Sequence, residues 1–290
     1  MKNILVPIDF SDASFNAISY AAFLANIFEA NLFLLHVYPN TAAFPEQFGA
    51  MVYQTGERLE ASNENFLKNQ IEAIARRFTV KINSLILKGN PIYTIKEVAK
   101  KYHSDIIIMG MKGKGDSNSI FGSTTTAMID KTCIPLLVIP ENASYQTIDT
   151  ITIATDFKNE ELLSHFTFLA KLIAKFNPYI QIVNIQKKNC HLSAEMIAAK
   201  MREGLEWENY NHSFNIVEKD NIEEGINNFL EKHSTDLLVM VARKHSFIEK
   251  ALGGSLTKKM THQTKKPLLI FHESENNNSS TIKNSKAVYS

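Results

Sequence analysis

The sequence predicts two tandem, doubly wound α/β domains, each built on a five-stranded parallel sheet. Three observations carry this. The chain repeats itself: Asn3–Phe10 (NILVPIDF) is matched by Thr150–Phe157 (TITIATDF), Ser104–Met109 (SDIIIM) by Thr235–Met240 (TDLLVM), and Ile134–Ile139 (IPLLVI) by Lys266–Phe271 (KPLLIF). Within each copy the strand candidates are nearly continuous Val/Ile/Leu runs, the composition of parallel strands covered by helices on both faces. Between them lie stretches of helical periodicity.

In the first copy, strands are expected to start near Ile4, Leu32, Ile82, Ile106 and Leu136, and in the second near Thr152, Ile180, Phe214, Leu237 and Leu268. The first helix places Ile18, Ala21, Ala22, Ala25 and Phe28 on one face; its counterpart uses Leu162, Phe166, Leu169, Ile173 and Phe176. Asn90-Pro91 reads as a helix start, Asn supplying the cap and Pro the first helical position, with Ile95, Val98 and Tyr102 following at helical spacing. Ile222, Ile226 and Phe229 take that part in the second copy.

The Asp9–Asp156 separation is 147 residues and the Asp105–Asp236 separation 131, so the first copy carries extra chain, assigned to Tyr38–Gly56. Pro39, Pro45, Gly49 and Gly56 interrupt any single helix there, and a flap near the pocket is expected. Domains are placed at 1–142 and 148–273, joined by a short polar bridge, with a disordered Asn/Ser/Lys-rich tail over 274–290.

Composition narrows the function. Lys and Arg total 31 against 30 for Asp and Glu, so no general field draws the chain to nucleic acid or to an anionic membrane face. Cys133 and Cys190 lie in different copies without a metal-type or CxxC neighbour, which fits a reducing, cytoplasmic setting. The apolar run at the N-terminus is short and broken by Pro7 and Asp9, unlike a signal peptide or membrane span.

In an open α/β sheet, ligands bind beyond the C-terminal ends of the strands where the strand order reverses. Two loops qualify: Pro7-Ile8-Asp9-Phe10-Ser11 after the first strand, and Gly110-Met-Lys112-Gly113-Lys-Gly115, running on to Gly122-Ser123-Thr124, after the fourth. Glycines let backbone N–H groups approach an anion, a helix start at Ser123 offers free amides and hydroxyls, and Lys112 adds charge. A tight turn is the plainer reading of the glycines, helix capping that of Asp9, and core packing that of Val37.

Val6-Pro7-Ile8-Asp9-Phe10-Ser11, Leu35-His36-Val37, Gly89-Asn90-Pro91, Asp105-Ile-Ile-Ile-Met-Gly110, the glycine loop and Pro135-Leu-Leu-Val-Ile139 together resemble the universal stress protein family. The resemblance covers about residues 1–272. It implies a Rossmann-like fold of the adenine nucleotide alpha hydrolase type and an ATP- or AMP-binding module of stress response or signalling. Pro7, Ile8 and Asp9 would then contact ribose or adenine, Val37 would sit near adenine, and Gly110, Gly113, Gly122, Ser123 and Thr124 would hold phosphates. Mg2+ would ride on the ATP. The family's nucleotide-binding loop is written G-x2-G-x9-G-[ST]; here eight residues separate Gly113 from Gly122. An assembly module without nucleotide and a slow ATPase are the alternatives.

In the second copy Val241 and Lys244 replace Gly110 and Gly113, while Gly254-Ser255 keeps the later spacing. A β-branched and a long side chain would fill the phosphate space, so no comparable site is expected there. The apolar last strands call for cover, and the resemblance implies that the two domains pair through them, with a homodimer of chains as a further expectation. Walker, nucleophile-elbow and HExxH motifs are absent, and no metal other than Mg2+ is expected.

Overall fold

The computed structural model describes residues 1–38, 64–111, 123–155, 167–186, 210–242 and 266–272. The first copy contributes β1 (Asn3–Ile8), α1 (Asp12–Phe28), β2 (Asn31–Tyr38), α2 (64–75), β3 (Ile82–Lys88), α3 (Pro91–Lys101), β4 (Ile106–Met111), α4 (Ser123–Lys131) and β5 (Leu136–Pro140). The second contributes β6 (Thr150–Ala154), α5 (Thr167–Phe176), β7 (Tyr179–Gln186), β8 (His212–Glu218), α6 (Ile222–Lys232), β9 (Leu237–Ala242) and β10 (Leu268–His272). The Tyr38–Gly56 insertion lies outside the described residues except for Tyr38, which ends β2, as does the 274–290 tail.

The strands form one ten-stranded sheet in the order β3-β2-β1-β4-β5-β10-β9-β6-β7-β8. Each copy thus has the doubly wound 3-2-1-4-5 order, and the chain reverses direction across the sheet between its first and fourth strands. All pairs are parallel except the central one, where β5 and β10 run antiparallel with Leu269 opposite Leu137.

Two apolar layers sandwich the sheet, and each draws on both copies. On one face Ile4 and Val6 pack with Ala17, Ile18 and Ala21 of α1, and with Ile151, Ile153, Phe168 and Leu172 from β6 and α5. On the other, Leu5, Ile107 and Met109 pack with Ile95 and Val98 of α3, alongside Leu238, Ile226 and Phe229. Burying each such side chain is worth about 1.5–3 kcal/mol, so these layers supply the main driving force for folding.

Local signals set the element boundaries. α1 is opened by Ser11, whose side chain accepts the Ser14 amide at 3.2 Å, and Asp12 complements the helix dipole in its first turn. Ala13, Ala17, Ala21 and Ala25 fall four residues apart and are all buried, which lets α1 lie close to the sheet. α3 begins as its sequence predicts, with Asn90 accepting the Tyr93 amide and Pro91 inside the first turn. Asp105 accepts the amides of Lys2 and Asn3 at 2.6 and 3.0 Å; Asp236 accepts those of Asp149 and Thr150 at 3.0 and 2.9 Å. The repeated Asp thus satisfies backbone donors at the start of the first strand of each copy.

The bridge between copies is pinned to the first. Asn16 donates from Nδ2 to the carbonyls of Pro140 and Ala143 at 2.7 and 2.8 Å. Tyr145 packs against Phe23 and Phe78, with the Arg77 guanidinium 5.4 Å from its ring.

Candidate functional site

The strand reversal of the first copy lies between β1 and β4, and here the sheet is incompletely zipped. Ile4 and Leu5 pair with Ile106 and Ile107, but the ladder goes no further, although β1 continues to Ile8 and β4 to Met111. In the second copy the matching ladder runs through four positions, Ile151–Ala154 against Leu237–Met240. A residue difference accounts for this: Pro7 stands where Ala154 stands in the second copy, and proline has no N–H to give a neighbouring strand. Loss of that donor coincides with the shorter ladder at the C-terminal ends of β1 and β4, where the strand order reverses.

The described sequence candidates lie on the elements that flank this reversal. Pro7 and Ile8 end β1, both buried; Asp9 follows, exposed. Val37 lies in β2 and packs on the α3 side of the sheet. Gly110 lies in β4, paired with Ile139. Ser123 opens α4 and Thr124 follows it. Lys112, Gly113 and Gly122 lie outside the described residues.

Two residues do more than the sequence reading assigned them. A Cβ on Gly110 would stand 2.4 Å from the Ala13 carbonyl oxygen and 2.8 Å from the Ser14 nitrogen, so this glycine lets the first turn of α1 rest directly on β4. Asp9 does not itself cap α1. Its Oδ1 accepts the Ser11 hydroxyl and amide at 2.5 and 3.1 Å, and Ser11 in turn caps the helix. The carboxylate therefore fixes the capping residue one step removed.

Sequence reasoning missed the parts played by Phe10, Phe66 and Thr125. Phe10, between Asp9 and Ser11, has φ of 62°, a left-handed conformation that a bulky residue adopts only under restraint. Its ring meets His36 and Phe66 at centroid distances of 4.5 and 5.6 Å. Thr125, buried in the first turn of α4, donates to the Gly110 carbonyl at 3.4 Å and ties that helix start to β4. The Ile-Asp-Phe-Ser string signals a turn, but partners distant in sequence, such as Phe66, leave no local signature.

Electrostatics near the sheet's other end join the copies. Burial pushes the Asp105 carboxyl up, but the amides of Lys2 and Asn3, aided by nearby positive charge including Lys171 of α5, outweigh it and hold the group below its ordinary value. Burial, and then the Asp236 carboxylate of the second copy, drive the Tyr20 phenol far above its usual value. Among the described residues no cluster of His, Cys, Asp and Glu could hold a metal ion, and no helix is long and apolar enough to cross a membrane.

Known proteins carry the same architecture. A universal stress protein of Methanocaldococcus jannaschii is 30% identical over 139 residues, covering 48% of this chain and 81% of its own length. Universal stress protein G of Escherichia coli O157:H7 is 26% identical over 144 residues, covering 48% of this chain and 98% of its own. Each such relative thus matches about one copy of the duplication. A crystal structure of a universal stress protein from Archaeoglobus fulgidus superposes with a TM-score of 0.71 at 15% identity, covering 94% of this chain and 98% of that one, which shows a shared two-copy fold. The model of the universal stress protein family matches twice, over residues 1–140 and 149–272. Both copies fit the pattern and together fill most of the sequence, so the chain belongs to the universal stress protein family.

Proposed function

We propose that the first copy binds an adenine nucleotide, ATP with Mg2+ or AMP, in the crevice between β1 and β4, as a stress-response or signalling module of the cytoplasm. The observation that carries this reading is the unzipped β1–β4 ladder beside a helix start. It would leave room for a ligand at the strand reversal, and the first amides of α4 would supply donors and positive dipole for phosphate. Ribose and adenine fall to Pro7, Ile8, Asp9 and Val37; phosphates fall to Gly110, Lys112, Gly113, Gly122, Ser123 and Thr124. The Gly110 contribution is its backbone, since its missing side chain already serves the contact with α1.

The second copy is assigned a structural role. Its matching ladder is two positions longer, and Val241 and Lys244 stand where the first copy has Gly110 and Gly113. The two copies act as an intrachain pair, and pairing of two chains would extend it.

Titration calorimetry of the intact chain with ATP should give one site per chain. Gly113→Val should abolish binding and Lys244→Ala should leave it within about twofold, since the second copy is assigned no comparable site. Two equal sites would overturn the asymmetry between copies. No site at all would favour the assembly module, the reading supported by the eight-residue spacing between Gly113 and Gly122.

A further inference from the structure

The sixth residue of β2 is His36, and the sixth residue of β7, the corresponding strand of the second copy, is Asn184. The His36 Nδ1 lies 3.0 Å from the Ile8 carbonyl oxygen. Asn184 donates from Nδ2 to the Thr155 carbonyl at 2.8 Å. Ile8 and Thr155 hold the same place: each is the last residue before the repeated Asp-Phe, Asp9-Phe10 in one copy and Asp156-Phe157 in the other. The side chains differ, but His Nδ1 and Asn Nδ2 are both bonded to Cγ and can reach the same point. A carbonyl can only accept, so the imidazole must carry its proton on Nδ1. Asn184 points the same way: its Oδ1 is buried and makes no hydrogen bond, so the donor is the end of the amide that is used.

The carbonyl held in this way sits where the chain leaves the sheet. One residue later is Asp9, which fixes Ser11; two residues later is Phe10 with its left-handed backbone, whose ring packs on the His36 ring. His36 therefore grips the turn twice, at the carbonyl before it and at the ring within it. We infer that His36 is a positioning residue for the β1–α1 turn, its Nδ1–H holding the exit of β1 so that Asp9 and the first turn of α1 face the crevice, a task Asn184 performs in the second copy. This rests on the nucleotide reading for its consequence on affinity, but the grip itself does not.

The pseudo-symmetry supplies the test. His36→Asn installs the donor used by the second copy, and His36→Leu removes it while filling similar space. ATP affinity measured by calorimetry should stay within about threefold of the parent for His36→Asn and weaken roughly tenfold for His36→Leu, the loss of about one hydrogen bond's worth of preorganisation. In the nucleotide-free chain, the Ser11 amide resonance should hold its position in His36→Asn and move in His36→Leu. The parent's imidazole nitrogen shifts should report the Nδ1–H tautomer. An Nε2–H tautomer, or a His36→Leu chain with unchanged Ser11 amide and unchanged affinity, would overturn the inference. If the parent binds no ATP, the nucleotide reading fails, and the tautomer and the Ser11 amide still decide the grip. If His36→Leu does not fold, the parent's tautomer and the His36→Asn affinity decide it.

Discussion

At the scale of single residues, glycine and aspartate act here through backbone atoms far away in sequence. Gly110 was legible as part of a glycine-rich loop, but the reason for it was not: the atoms that forbid a side chain belong to Ala13 and Ser14, about a hundred positions earlier. Gly110→Ala should therefore destabilise the fold by about 3 kcal/mol, at the upper end of overpacking costs because backbone cannot step aside as a side chain can. Urea unfolding would show this with or without nucleotide, and an unchanged midpoint would contradict the contact. Asp105 was legible as a repeated residue without a role. Its folded-state value is held below the ordinary one near 3.9, so its stabilisation is whole above that pH and lost as pH falls through the lowered value. Asp105→Asn should accordingly lose stability near neutrality, by about 1 kcal/mol for a half-exposed carboxylate, and should show a shallower loss of stability between about pH 5 and 2 than the parent.

At the scale of elements the sequence was easier to read where local chemistry decides. β4, β5, β9 and β10 begin at Ile106, Leu136, Leu237 and Leu268, the positions their apolar runs predict, because a buried parallel strand must be apolar from its first residue. β8 begins at His212, two residues before Phe214, because its start is an edge with polar residues that carry no such signal. The helix at 64–75 escaped the sequence reading, its apolar residues being sparse: Leu67 and Ile74 are its buried anchors. The length of a ladder was not legible either, although its cause was in plain view as Pro7. Pro7→Ala should restore an N–H to β1 and let the strands close further. In hydrogen exchange the new residue-7 amide is expected to be protected, with nucleotide affinity reduced as the crevice narrows. A fast-exchanging amide and undiminished affinity would mean that proline is not what keeps β1 and β4 apart.

At the scale of the whole molecule, the β5–β10 pair makes one sheet of two duplicated halves, and the apolar layers continue across it. The duplication itself was legible from matched strings, and the apolar last strands signalled that they needed cover. Which helices would meet across the seam was not, since Phe28 meets Phe176 and Tyr20 senses Asp236 only once both copies are folded. Leu269 is fully buried in the central ladder opposite Leu137. Leu269→Asp should cost about 3–5 kcal/mol, the range for an uncompensated buried charge. Unfolding followed separately by Trp207 fluorescence and by far-ultraviolet dichroism should then lose the coincidence expected of a cooperative chain. Coincident transitions at the parent's midpoint would show that the seam contributes little.

The same seam gives the protein a history during its synthesis. β5 leaves the ribosome with the other four strands of its copy already made, yet its partner β10 begins only at Leu268. At ribosomal speeds of about 5–20 residues per second, the all-buried edge Leu136–Pro140 waits on the order of ten seconds for its cover. During that interval the similarly apolar β5 of a neighbouring nascent chain can compete with the missing β10, and an unpaired apolar strand edge invites such pairing. The order of the two halves in the message thus makes translation pace, and whatever shields the nascent edge, part of how this molecule reaches its final form.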